Sequence, residues 1–89
     1  MKTIWKYSLQ VTDEINLQMP QGATILDCQD QGNEVVLWAM VDSGAPLQIR
    51  RFRFFGTGQI IPLNNPEMSF LATVQLRNVH LVFHLFELI

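Results

Sequence analysis

Nine consecutive residues, Arg50-Arg51-Phe52-Arg53-Phe54-Phe55-Gly56-Thr57-Gly58, hold three of the six lysines and arginines in this 89-residue chain. Guanidinium forks match carboxylates and phosphates, aromatic faces stack on bases, and successive amides around two glycines can cradle an anion. Side chains alternate along an extended strand, so Arg51 and Arg53 share one face while Arg50 lies with Phe52 and Phe54 on the other. The expectation is a binding site made of Arg51, Arg53, Gly56, Thr57 and Gly58, with an anionic small molecule or an acidic protein surface as its ligand. The plainer alternative is an amphipathic strand: Phe52 and Phe54 in the core, outward arginines paired to Asp or Glu, and glycines that only permit a sharp turn. Gly-x-Gly by itself does not separate the two.

The other reactive residue types carry less. His80 and His84 would share a face on a helix but stand roughly 13 Å apart along a strand. Their neighbours Val79, Val82, Phe83 and Phe86 favour a strand, so the pair is expected at a sheet rim or an interface rather than on zinc. Asp42-Ser43-Gly44 lacks the G-x-S-x-G elbow of a serine hydrolase. Cys28 lies near Asp27 and Asp30, which push its thiol pKa upward, so it reads as a packing or edge thiol. Asp13-Glu14 reads as a solvated corner. Trp5, Tyr7, Trp38 and the six phenylalanines supply the main mass of a small β core. The sequence assigns no catalytic residue, no metal and no cofactor.

What must position these residues is one domain spanning 1–89, since this length allows a single core. A core so small leaves little room for a polar cavity, which puts any ligand site on the surface or between subunits. Apolar residues make up 48% and charged residues 16%, too hydrophobic for disorder and low enough in charge to expect a homo-oligomer. The net charge of −2 disfavours general nucleic-acid binding. A lone cysteine excludes an intramolecular disulfide. The start MKTIWKYSLQ is interrupted at Lys6, unlike a signal peptide, and no run approaches the roughly 18 to 20 apolar residues that cross a bilayer. A cytosolic protein with no membrane partner is expected.

Period-two alternation dominates. Trp5 to Val11 and Ile15 to Met19 alternate apolar with polar residues, with Thr12-Asp13-Glu14 as the corner between them and Pro20 as the stop. Ala23 to Gln29 and Glu34 to Val41 form a hairpin through Asp30-Gln31-Gly32-Asn33. Val35 to Val41 is apolar on both faces and should be a central strand covered on both sides. Leu47 to Phe55 follows the turn cluster Asp42 to Pro46. Gln59 to Glu67, with Pro62, Pro66 and Asn64-Asn65, is an irregular connection, and Met68 to Arg77 and Val79 to Leu88 complete the set. About seven short strands make the fold class all-β, a small antiparallel sandwich or open barrel. The last strand, Val79 to Ile89, is expected at an edge where a second copy would pair.

Six blocks together resemble a short domain family of unknown function from bacteria, prophages and phages. They are I-W-K-Y-x-L-x-V-T-D-E at 4–14, M-P-x-G-A-x-I-L at 19–26, L-W-A-x-V-D-x-x-A-P at 37–46, R-R-F-R-x-x-G-T-G at 50–58, F-L-A-T-V-Q at 70–75 and L-V-F-H-L-F-E at 81–87. The resemblance brings no activity and no catalytic residue. It implies a free-standing phage or prophage accessory protein, and such proteins often act by binding. The leading expectation is a non-enzymatic counter-defence inhibitor that binds a host defence complex or sequesters its nucleotide signal. The alternative is a virion or host-takeover accessory with no immune role.

Overall fold

The computed structural model describes residues 1–12, 14–32, 34–62 and 67–89. Among these residues seven strands follow in order: β1 (Lys2–Leu9), β2 (Ile15–Pro20), β3 (Thr24–Asp30), β4 (Val35–Asp42), β5 (Leu47–Gly56), β6 (Met68–Leu76) and β7 (Leu81–Leu88). All pairings are antiparallel and make two sheets, ordered β1-β4-β3 and β2-β5-β7-β6. The fold is all-β as the alternation predicts, two antiparallel sheets that fit a small sandwich or open barrel, and among the described residues the sheets do not close into a barrel. They adjoin along β3 and β6, and β2 reaches β4. Among the described residues, no helix is long and apolar enough to cross a membrane.

The inner faces meet in one apolar layer. β4 contributes Val35, Leu37, Ala39 and Val41, β5 contributes Phe52 and Phe54, and Ala72, Val74 and Leu85 come from β6 and β7. The β3–β4 hairpin forms as expected: the Gln31 amide donates to the Glu34 carbonyl at 2.7 Å, and Gly32 takes φ +75°, a conformation open to glycine. Asn33, Asp13 of the first corner, and Leu63 to Pro66 of the long connection, including Asn64-Asn65, lie outside the described residues.

Two expectations are corrected. The last strand is not an edge: β7 runs between β5 and β6. β5 spends its first half on β2 and its second half on β7, so the C-terminal strand fills the gap beside Arg51 to Gly56, and β6 is carried outward. Val79 and His80 belong to the turn before β7, where His80 has φ 53°. The second correction concerns β4, which is central but not covered along both faces. On its outer side Val36 is fully buried between Ser8 and Gln29 in the register, whereas Met40 at the other end is exposed. Neighbouring side chains rather than a third layer shield that face, and they shield it unevenly.

Arg50 sits on the inner side of β5, as alternation requires. Its Nε and Nη2 donate to Glu87 Oε2 and Oε1 of β7 at 2.6 and 2.7 Å, and Nη1 donates to the Ala23 carbonyl at the entry to β3. The pair is only 16% and 18% exposed. Glu87 raises the Arg50 pKa further, through hydrogen bonding first and charge second, against the lowering effect of burial. Breaking a buried pair by removing one partner strands the other charge. Arg50→Ala should therefore cost about 3 kcal/mol in denaturant unfolding, and an Arg50→Ala/Glu87→Ala variant should lose less than the sum of the two single changes.

Candidate functional site

The outward side of β5 carries Arg51, Arg53 and Phe55, and the sheet register sets their neighbours. Arg51 pairs with Leu88, Arg53 with Phe86 and Phe55 with His84 across β7. On β6, Met68, Phe70 and Thr73 stand opposite Leu88, Phe86 and His84. Because directly opposed residues point to the same face, these nine side chains form three rows on the outer face of the four-stranded sheet. The rows run from cationic and aliphatic at the Arg51 end to polar at the His84 end.

An aromatic cluster occupies the middle. Phe86 makes edge-to-face contacts with Phe55 at 5.8 Å and with Phe70 at 5.5 Å between ring centroids. The Arg53 guanidinium carbon lies 4.8 Å from the Phe55 centroid, a cation–π stack that helps bury this ring although it points away from the core. Phe70, by contrast, is 56% exposed. Arg51 is held more loosely, with Nε and Nη2 each 3.1 Å from Glu14 Oε1 and both partners about half exposed. Such a pair contributes on the order of 0 to 1 kcal/mol, so an incoming anion can compete for the guanidinium.

The glycine turn is occupied with its own bonds. The Gly56 amide donates to Gln59 Oε1 at 3.0 Å, the Thr57 amide to the Val82 carbonyl at 3.3 Å, and the Gln59 amide to the Gly56 carbonyl at 3.0 Å. Gly58 takes φ +87° at the third position, as a type II turn demands. The Gly56 and Thr57 amides, expected to contribute to an anion cradle, are thus already bonded to Gln59 in the turn and to Val82 of β7. Thr57 instead places its hydroxyl 2.9 Å from His84 Nε2, while the Thr73 hydroxyl lies 3.1 Å from Nδ1, so the imidazole is held between two hydroxyls.

Arg51, Arg53 and Thr57 therefore gather at one face, and Gly56 and Gly58 build the turn that presents Thr57. Only half of the phenylalanines expected in the core belong to it: Phe52 and Phe54 lie there with Phe83 packed against them, but Phe55, Phe70 and Phe86 lie on the outer face. Position parity with Arg51 and Arg53 could have flagged Phe55. Phe70 and Phe86 join only through the β6–β7 register, which a bulge between Phe70 and Ala72 shifts. Asp42 and Ser43 serve the chain start: the Met1 amine and the Gly44 amide both lie 3.1 Å from the Asp42 carboxylate, and Ser43 Oγ donates to the Met1 carbonyl. Those bonds, the Gly44 amide foremost, lower the Asp42 pKa.

A family model described as a domain of unknown function, DUF7352, matches residues 1–89. The chain belongs to the DUF7352 family. No curated protein and no solved structure matches it.

Cys28 is buried on the inner side of β3, and burial, assisted by the charge of Asp27, pushes its thiol from 9.0 up to about 12. The neutral thiol is favoured by folding, so this contribution is intact below pH 9 and is lost as pH rises toward 12. Native protein at pH 8 should leave Cys28 unreactive to a thiol reagent that labels it in denaturant. Stability measured by denaturant should fall from pH 9 to 11, and Cys28→Ala should flatten part of that fall. Burial also raises Tyr7, which supplies another part.

Proposed function

We propose that this protein is a non-enzymatic, phage- or prophage-encoded accessory protein of the host cytosol that binds an acidic surface of a host protein through the outer face of its four-stranded sheet. Its proposed role is counter-defence: occupying a host defence complex. The setting rests on the blockwise sequence resemblance, and the binding chemistry rests on one observation, the Arg53–Phe55 stack beside Phe86 and the exposed Phe70, with Arg51 at its border. Arginine and aromatic side chains dominate the energetics of protein interfaces, because they combine large apolar area with fixed charge. Arg53 is already held by a ring, so it has less side-chain freedom to lose on meeting a carboxylate. Leu47 and Ile49, exposed on the same side of β5, widen the face beyond what a small ligand covers.

A second reading keeps the same face and makes the ligand the nucleotide signal of a defence system. The exposed ring of Phe70 favours it, since a base can stack there while arginine meets a phosphate. Pull-down from host lysate, followed by binding measurements on the captured protein, separates the two readings from titration with nucleotides. Arg51→Ala/Arg53→Ala and Phe70→Ala should each weaken the responsible interaction by about 2 kcal/mol or more if they are central to it. Circular dichroism should stay unchanged, because none of the three side chains is part of the core layer. Undiminished binding by the folded double variant at about 150 mM salt would return these arginines to ordinary surface charge.

A further inference from the structure

Four strands end the two sheets, and three of them carry features that discourage further pairing. β3 and β6 are broken by register shifts at Ile25/Asp27 and Phe70/Ala72, and β2 is six residues long and ends in Pro20. β1 is different. Its eight residues pair with β4 in unbroken register, six of them are exposed, and among the described residues no strand lies along its other side.

The ladder fixes which backbone groups that open side presents. The Met1 carbonyl accepts from the Ser43 amide at 2.9 Å, so Met1 turns its polar groups toward β4. Alternation turns Thr3, Trp5, Tyr7 and Leu9 the same way. Lys2, Ile4, Lys6 and Ser8 therefore direct their N–H and C=O groups outward.

We propose that this edge pairs antiparallel with β1 of a second copy of the chain, about a twofold axis at Trp5, joining two three-stranded sheets into one of six strands. A twofold antiparallel pair must be centred on a residue that faces itself, and Ile4, Trp5 and Lys6 are the centres that use most of the strand. Centring on Ile4 sets Lys2 directly against Lys6 of the second copy, and centring on Lys6 sets that residue against itself. Like charges directly opposite are destabilising. Centring on Trp5 sets Lys2 against Ser8 and Lys6 against Ile4, with no opposed lysines. That register also lets all four outward-facing residues exchange both backbone hydrogen bonds. The two Trp5 residues then form a close non-hydrogen-bonded pair, about 4.5 Å apart at Cα, with their indoles on the core side. Ile4, 58% exposed in the single chain, becomes covered.

Light scattering on protein at about 100 µM should give the mass of a dimer, in the range where a modest interface is occupied. Ile4→Pro removes an outward N–H and no bond to β4, so it should yield a monomer with an unchanged β spectrum. Ile4→Glu and Ile4→Lys keep the backbone intact and read the register, because each places its charge opposite Lys6 of the second copy. The Glu variant should dimerise about tenfold more tightly than the Lys variant. A wild-type monomer at this concentration overturns the proposal, as does a dimer that survives Ile4→Pro. Equal dimerisation by the Glu and Lys variants rules out the Trp5-centred register.

Discussion

Arg50 fastens the two layers to each other. Strand alternation puts it on the core side of β5 with Phe52 and Phe54, and a cation at the end of an apolar interior must have its charge answered. Glu87 answers it from β7 with both oxygens, and the Ala23 carbonyl, at the entry to β3 of the other sheet, accepts a third bond. The far end of β3 is tied differently: the Arg77 amide donates to Asp30 and the Asn78 side chain to the Gly32 carbonyl, across to the turn between β6 and β7. β3 is therefore held to the four-stranded sheet at both ends by directional bonds, with apolar filling between. Burial alone is non-directional and would leave two small sheets free to shift against each other. These polar ties choose one placement.

That placement determines the outer face. With Arg50, Phe52 and Phe54 inward, Arg51, Arg53 and Phe55 have no other side to occupy. Phe55 is then a large ring on the solvent side of a sheet, and Arg53 stacked on it and Phe86 packed edge-to-face with it help to bury it. The stack also changes the arginine. A guanidinium resting on a ring has one of its faces already out of water.

Strand existence and the inward or outward sense of β5 were legible, because period two is a local signal that needs no knowledge of neighbours. Sheet order was not. The Val79 to Ile89 segment reads as a terminal and hence an edge strand, but β7 gains two neighbours by inserting between β5 and β6, which brings Phe86 beside Arg53 across 33 positions of sequence. The same non-local register decides which phenylalanines are core. Composition cannot distinguish Phe54, which faces the other sheet, from Phe70, which faces water. The hairpin through Gly32 was readable from its turn chemistry, whereas the edge status of β1 depends on β4 pairing with both β1 and β3.

The β1 edge and the arginine–aromatic face sit on different sheets. Antiparallel pairing along β1 extends the three-stranded sheet in its own plane and uses none of the residues on the outer face of the four-stranded one. Each copy in such a pair would keep Arg51 and Phe70 exposed, so the dimer would present two equivalent arginine–aromatic faces held at a fixed separation. Against a partner that is itself repeated, the second contact becomes intramolecular, and modest affinity per face is multiplied without any new interaction. Against a single-copy partner or a free nucleotide no such gain exists. The stoichiometry of the bound state thus carries information about the partner that neither surface supplies alone.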